Sequence, residues 1–321
     1  MYTVKLLIQF LPDLISDMPL NRRDFLQKTA LTTSGLALAP GLLPKRSFSL
    51  ARDFKLIILA TNWGFQGSFA DFCAAAKKDG YDGVEIWLPG DPKQAAENLR
   101  IIRDHDLQYG FLAGVGGSDF KEHFKAFQGS VDRALEQEPL FVNCHSGRDY
   151  FTAVQAQEFF RFTQKRSAET GIPVYHETHR ARLLFAAHIT RQYLEAQPEL
   201  KVTLDISHWC NVHSSLLQDQ QATVDLALAR TGHIHSRVGQ AQAPQINDPR
   251  APEWEKEVAQ HFVWWDKVVE RCMANGETLT MTTEFGPPNY MPTVPFTQQP
   301  ITDLWAINKY MKDLWRERYQ S

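Results

Sequence analysis

The sequence predicts a single (βα)8 barrel over residues 52–321, on three observations. Strand-like and helix-like patterns alternate from residue 55 through eight repeats. The chain, 321 residues long, has room for one large domain with a full core. The turn after the first strand, "TNWGFQGS", is not the glycine-rich phosphate turn that the runner-up, a doubly wound open sheet, more often carries.

The strands follow in order as "KLIILA" (55–60), "GVEIWL" (83–88), "LQYGFLA" (107–113), "LFVNCH" (140–145), "PVYHE" (173–177), "KVTLDI" (201–206), "GHIHS" (232–236) and "TLTMTTEF" (278–285). Each is a short β-branched or aromatic run bounded by turn residues. Between them, and after the last, lie amphipathic stretches at 68–79, 92–105, 119–137, 151–170, 181–197, 217–229, 253–274 and 302–318. Apolar residues recur there at spacings of three and four, as Phe69, Phe72, Cys73 and Ala76 do in the first. Gly80, Gly171 and Gly276 follow helices as C-caps. The longest loop, 236–252, follows strand seven, a place where functional lids occur.

Alternation along the strands separates two faces. Val84 and Ile86 oppose Glu85 and Trp87; Val142 and Cys144 oppose Asn143 and His145; Leu204 opposes Asp205; Ile234 opposes His233 and His235; Met281 opposes Thr282 and Glu284. The apolar face suits the helices, so the polar one points into the barrel. Buried carboxylates and imidazoles are costly unless paired or bound to metal. Glu177, Asp205, His235 and Glu284 end strands five to eight, at the carboxyl face where barrel enzymes place their chemistry. Two Glu, one Asp and one His form a hard, mostly oxygen set. It suits one divalent ion, Mn²⁺ first, with Co²⁺, Mg²⁺ or Zn²⁺ as alternatives. His145, His179, His208, Glu85 and Trp87 are the candidate substrate contacts. His233 sits a layer deeper, and His176 points to the helix layer. Arg180 and Arg182 suit either an anionic substrate or solvent.

The N-terminus reads as a targeting segment. "NRRDFLQK" precedes an uncharged stretch, "TALTTSGLALAPGLL", too short to span a membrane. Arg22 and Arg23, followed by Asp24, Phe25 and Leu26, resemble a twin-arginine export signal. The resemblance implies the twin-arginine translocation machinery as a partner and a periplasmic location. Residues 1–51 are therefore set apart from the barrel, those before Met18 as an upstream extension. Four cysteines without CxxC spacing read as buried thiols. A net charge of −3 without charge blocks argues against nucleic acid. The oligomeric state stays open, a homo-oligomer included.

With these residues in place, the chain resembles the xylose-isomerase-like barrel superfamily of sugar isomerases and epimerases. The resemblance covers about residues 55–315 and rests on "GYDGVEIW", "HETHRAR", "LDISHW", "GHIHSRVG" and "TTEFGP". It implies metal ligands at Glu177, Asp205, His235 and Glu284. Two departures concern sugar contacts of the ketose 3-epimerases: Leu183 replaces a Glu, and Ala241 replaces an Arg. A free ketohexose is thus not assumed as substrate. The exported, uncharacterised branch of the superfamily resembles "ETHR" more closely.

The chemistry expected is metal-assisted proton abstraction alpha to a carbonyl of a carbohydrate, through an enediolate, with Glu177 and Glu284 as base and acid. With a glycosidic leaving group, the same site leads to β-elimination from a 3-keto-glycoside. An apurinic endonuclease with three zinc ions needs an Asp-x-His after the strand-seven histidine, and "SRVGQAQAPQIND" offers none. A non-catalytic sugar-binding protein is the remaining alternative.

Overall fold

A computed structural model describes residues 54–320. The expected export signal lies outside the described residues. Eight parallel strands close on themselves in chain order: β1 (Lys55–Thr61), β2 (Gly83–Trp87), β3 (Gln108–Gly114), β4 (Val142–His145), β5 (Val174–Glu177), β6 (Val202–Leu204), β7 (Thr231–His235) and β8 (Thr278–Thr283). The seam pairs Leu56 with Leu279 and Leu59 with Thr282. The fold is therefore the (βα)8 barrel that the alternating patterns predict.

Helices α1 (Phe69–Lys78), α2 (Pro92–Asp104), α3 (Phe120–Leu135), α4 (Ala153–Thr170) and α5 (Ala187–Ala196) follow the first five strands. Two helices follow β6, α6 (Ile206–Val212) and α7 (Gln221–Ala229). The outer layer ends with α8 (Glu255–Asn275) and α9 (Leu304–Tyr319). Helix starts are set locally. Ser68 and Asp71 form a capping box at α1, and Thr152 and Gln155 form one at α4. The C-caps of α4 and α8 are Gly171 and Gly276, both left-handed. Helix α6 is not predicted by periodicity, because seven residues hold too little of a helical repeat.

Strand alternation divides the structure into two interiors. Val84, Ile86, Val142, Cys144, Leu204, Ile234 and Met281 share one apolar core with Phe72, Phe127, Phe159, Trp265 and Trp315 of the helices. The four cysteines are free and buried. The opposite alternates line the barrel itself. Glu85 on β2 accepts from Asn143 on β4 and from Thr282 on β8, contacts that only the lumen permits. Phe141 and Tyr175 fill the lumen below, with the Phe141 ring centre 4.2 Å from that of His233. Two glycines make room for them. A Cβ at Gly110 would lie 2.5 Å from the Phe141 ring, and one at Gly232 2.3 Å from the Tyr175 ring.

The loop after β7 is a packed wall. Val238 and Ile246 are buried, and the Gln245 side chain bonds Gly286 at both N–H (2.7 Å) and carbonyl (3.1 Å). Among the described residues, no helix is long and apolar enough to cross a membrane.

Candidate metal centre and active site

Four side chains converge at the carboxyl end of the barrel. Glu177 is the last residue of β5, and His235 is the last of β7. Asp205 and Glu284 each lie one residue beyond their strands rather than in them. Asp205 is the N-cap of α6, and its Oδ1 accepts from the Ser207 N–H at 3.1 Å. The strand ends after Leu204 because this cap turns the chain into a helix. One donor atom from each of Glu177, Asp205, His235 and Glu284 lies within 4.8 Å of the others.

These donors fit a divalent cation. Glu177 Oε1, His235 Nδ1 and Glu284 Oε2 are buried without a hydrogen bond. Native interiors rarely leave such atoms unpaired. His235 Nδ1 and Glu284 Oε2 are only 2.8 Å apart, yet they are not aligned to bond each other. Donor atoms that converge in this way without a hydrogen bond suit a common cation.

The acids crowd one another. Burial pushes the Asp205 carboxyl up to about 6; Arg237 opposes the shift, while the nearby carboxylates of Glu284 and Glu177 add to it. Burial disfavours a charged His235, but Glu284, Glu85 and Glu177 outweigh it and hold the imidazole well above its ordinary value. Burial also opposes a charged Glu177, and His145 and His235 reverse that, holding it well below the usual carboxylate range. The first two shifts reflect crowded buried carboxylates, and the third reflects the imidazoles that offset them.

Beneath this set lies a hydrogen-bonded shelf centred on Glu85. Its Oε1 accepts from Asn143 Nδ2 at 3.2 Å. Its Oε2 meets Thr282 Oγ1 at 2.5 Å, His235 Nε2 at 2.9 Å and His233 Nε2 at 3.2 Å. The substrate contact expected of Glu85 is corrected here. The residue is 1% exposed, and both oxygens are taken up by protein donors. It holds His235 Nε2 instead, so that Nδ1 faces the other three donor side chains, the arrangement by which outer carboxylates orient a histidine that binds metal. His233 bridges Glu85 to Thr280, in the deeper layer expected for it. His176 bonds Ser146 and, on α4, Thr163, so it faces the helix layer; burial brings it down to about 3.

A cavity of about 150 Å³ opens above the set. His145, His179, Trp87 and Glu284 line it together with Trp63, Tyr290 and Arg237. His145 Nε2 lies 2.8 Å from Glu177 Oε2, which Asn143 Nδ2 also reaches at 2.9 Å. Glu177 itself is 1% exposed and meets the cavity through His145. The substrate contact expected of His208 is also corrected. It is fully buried and lies behind Arg237, whose Nη2 donates to its Nε2 at 2.9 Å. An arginine only donates, so His208 is neutral with its proton on Nδ1. Burial, His179 and Arg237 agree in holding it well below its usual value. Arg180 lies 4.9 Å from the Tyr290 ring centre. Arg182 reaches the carbonyls of Val115 and Gly147.

Arg237, Tyr290 and Trp63 are site residues that the strand-end reading misses. Arg237 had a signal. His233, His235 and Arg237 continue one period-two face past the end of β7. Trp63 and Tyr290 come from the loops after β1 and β8, where no periodicity reports direction.

No family model matches the chain, and no curated protein matches its sequence. Solved structures do match. The 3-keto-D-glucoside 4-epimerase YcjR from E. coli superposes with a TM-score of 0.56 at 15% identity, covering 82% of this chain and 100% of that one. The D-allulose 3-epimerase from Methylomonas sp. gives 0.52 at 15%, covering 82% and 98%. The probable 3-DHS dehydratase AsbF from Bacillus anthracis gives 0.52 at 16%, covering 80% and 98%. The chain shares their fold. It is also the fold that the superfamily resemblance implies.

Proposed function

We propose that this protein is a divalent-metal-dependent enzyme that moves a proton alpha to the carbonyl of a keto-sugar or sugar derivative, as an isomerase or epimerase. The observation that carries the proposal is the four-residue donor set, with three buried atoms that make no hydrogen bond, beside an aromatic-walled cavity that Glu284 lines. The epimerase names among the structural neighbours support the substrate class.

Glu177, Asp205, His235 and Glu284 would hold the ion, Mn²⁺ by the hardness of the set. When bound, it supplies a Lewis acid that polarises a carbonyl oxygen. The remaining work falls to the chain. Trp63, Trp87 and Tyr290 hold the apolar face of a sugar ring and exclude water. Glu284, which lines the cavity, and Glu177, with Oε1 unpaired, act as the acid–base pair at the substrate carbon. Asn143 and His145 both hold Glu177 Oε2, which fixes the carboxylate. His179 orients substrate oxygens from the rim.

A second reading, β-elimination from a 3-keto-glycoside, uses the same proton abstraction. Trp87 favours it, being 47% exposed at the cavity mouth, where an aglycone would rest. Incubating free and glycosidic keto-sugars with the protein and Mn²⁺ tests both by NMR. An epimer or isomer is expected from the first reading and released aglycone from the second, each suppressed by EDTA. No change across the panel with Mn²⁺, Co²⁺, Mg²⁺ or Zn²⁺ would remove the proposal.

A further inference from the structure

Arg237 stands inside the ligand set. Its side chain is among the largest fully buried ones in the protein. Nη2 donates to Asp205 Oδ2 and lies 3.5 Å from Glu284 Oε2. Nε reaches Ser207 Oγ at 3.2 Å, and Nη1 reaches the Glu284 carbonyl at 3.5 Å.

Asp205 decides what this means. Its Oδ1 already accepts from both the Ser207 N–H and hydroxyl. Oδ2 is then the oxygen left for a metal, and it is the one that Arg237 holds. Glu284 Oε2, the unpaired carboxylate oxygen, is the second atom near the same guanidinium nitrogen. Four carboxylates, those of Glu85, Glu177, Asp205 and Glu284, are buried around this point. They need positive charge whether or not a metal is bound. A guanidinium supplies it at every working pH.

We infer that Arg237 is a resident cation that competes with the divalent ion for Asp205 and Glu284, and that the ion displaces its Nη2 on binding. The inference rests on the metal reading above. The guanidinium has aromatic contacts that do not depend on Nη2. Its carbon lies 4.6 Å from the centre of the Tyr290 ring and 6.0 Å from that of Trp63, within cation–π range of both. Metal affinity is set low by this competition, and in the metal-free protein Asp205 keeps a cationic partner.

The test is Mn²⁺ alone, titrated into the full chain as wild type, Arg237→Met and Arg237→Lys, with binding followed by calorimetry and melting by circular dichroism. Arg237→Met is expected to bind Mn²⁺ about tenfold tighter or more, since a buried like charge is removed. Without metal it melts below wild type, and saturating Mn²⁺ closes the gap. Arg237→Lys, which keeps the charge, stays nearer the wild-type affinity. Equal or weaker binding by Arg237→Met, with wild type still binding, overturns the inference and leaves the metal reading standing. Binding by neither protein overturns both. Should Arg237→Met not fold, the guanidinium Nε–H signal of wild-type Arg237, assigned by its loss in Arg237→Lys, is followed while Zn²⁺ is added. Its movement at one equivalent is expected; an unmoved signal at saturation overturns the inference.

Discussion

Glu177→Gln is expected to lose about 10³-fold or more in turnover while the barrel stays folded. The amide keeps the volume of the carboxylate, and its oxygen still accepts from Asn143 and His145. The charge is gone, however, and with it one ligand and one proton acceptor. Glu284→Gln is expected to fall by a similar factor. The check is steady-state turnover on whichever keto-sugar proves active, with bound metal and the thermal midpoint measured on the same samples. A Glu177→Gln protein with near wild-type turnover would take Glu177 out of the chemistry.

Glu85→Leu is expected to have the largest effect on stability. The substitution removes a buried carboxylate that serves Asn143, Thr282, His233 and His235 at once. Removing one partner of a buried charged network typically costs about 3–5 kcal/mol, because the others stay buried without it. Burial alone would raise the Glu85 carboxyl, but the charges and hydrogen bonds of His235 and His233 outweigh it and hold the group below its usual range. The sign is therefore that of a stabilised carboxylate, whose contribution is present at neutral pH and lost on acidification. Urea unfolding at neutral pH reads the cost. Metal affinity should also drop about 10–100-fold as His235 loses its orienting partner. A Glu85→Leu protein within about 0.5 kcal/mol of wild type, a surface-like value, would show the shelf to be incidental.

Much of this site was legible in the sequence, because strand alternation carries direction. It separated His176, which bonds the helix layer, from Glu177, one residue on, which faces the lumen. It also placed His233 below His235. It failed where strands end. Asp205 lies outside β6 because its carboxylate caps α6, a helix too short to leave a periodic trace. Depth failed for a related reason. Alternation puts Glu85 and Glu177 on inward faces alike but does not say which lies in the lower layer; that follows from register. Glu85 pairs with Thr61 and Gly110, whereas Glu177 pairs with Thr203. Arg237 was missed because an arginine in a loop is ordinarily solvated. Here the start of the loop, residues 236–239, is buried, and the crowded carboxylates hold the guanidinium in the barrel.

The central claim is that this site moves a proton on carbon next to a carbonyl, with a divalent ion bound. Solvent exchange tests it most directly. Wild-type protein is incubated in D₂O with Mn²⁺ and a panel of free and glycosidic 3-keto-sugars, the protons alpha to the carbonyl being followed by NMR after the metal is chelated. Loss of one such proton signal is expected, at a rate well above the protein-free control. It should disappear when EDTA is present from the start and in Glu177→Gln. A sugar that binds in the cavity and keeps all its alpha protons, or exchange that continues unchanged in EDTA, would contradict the account.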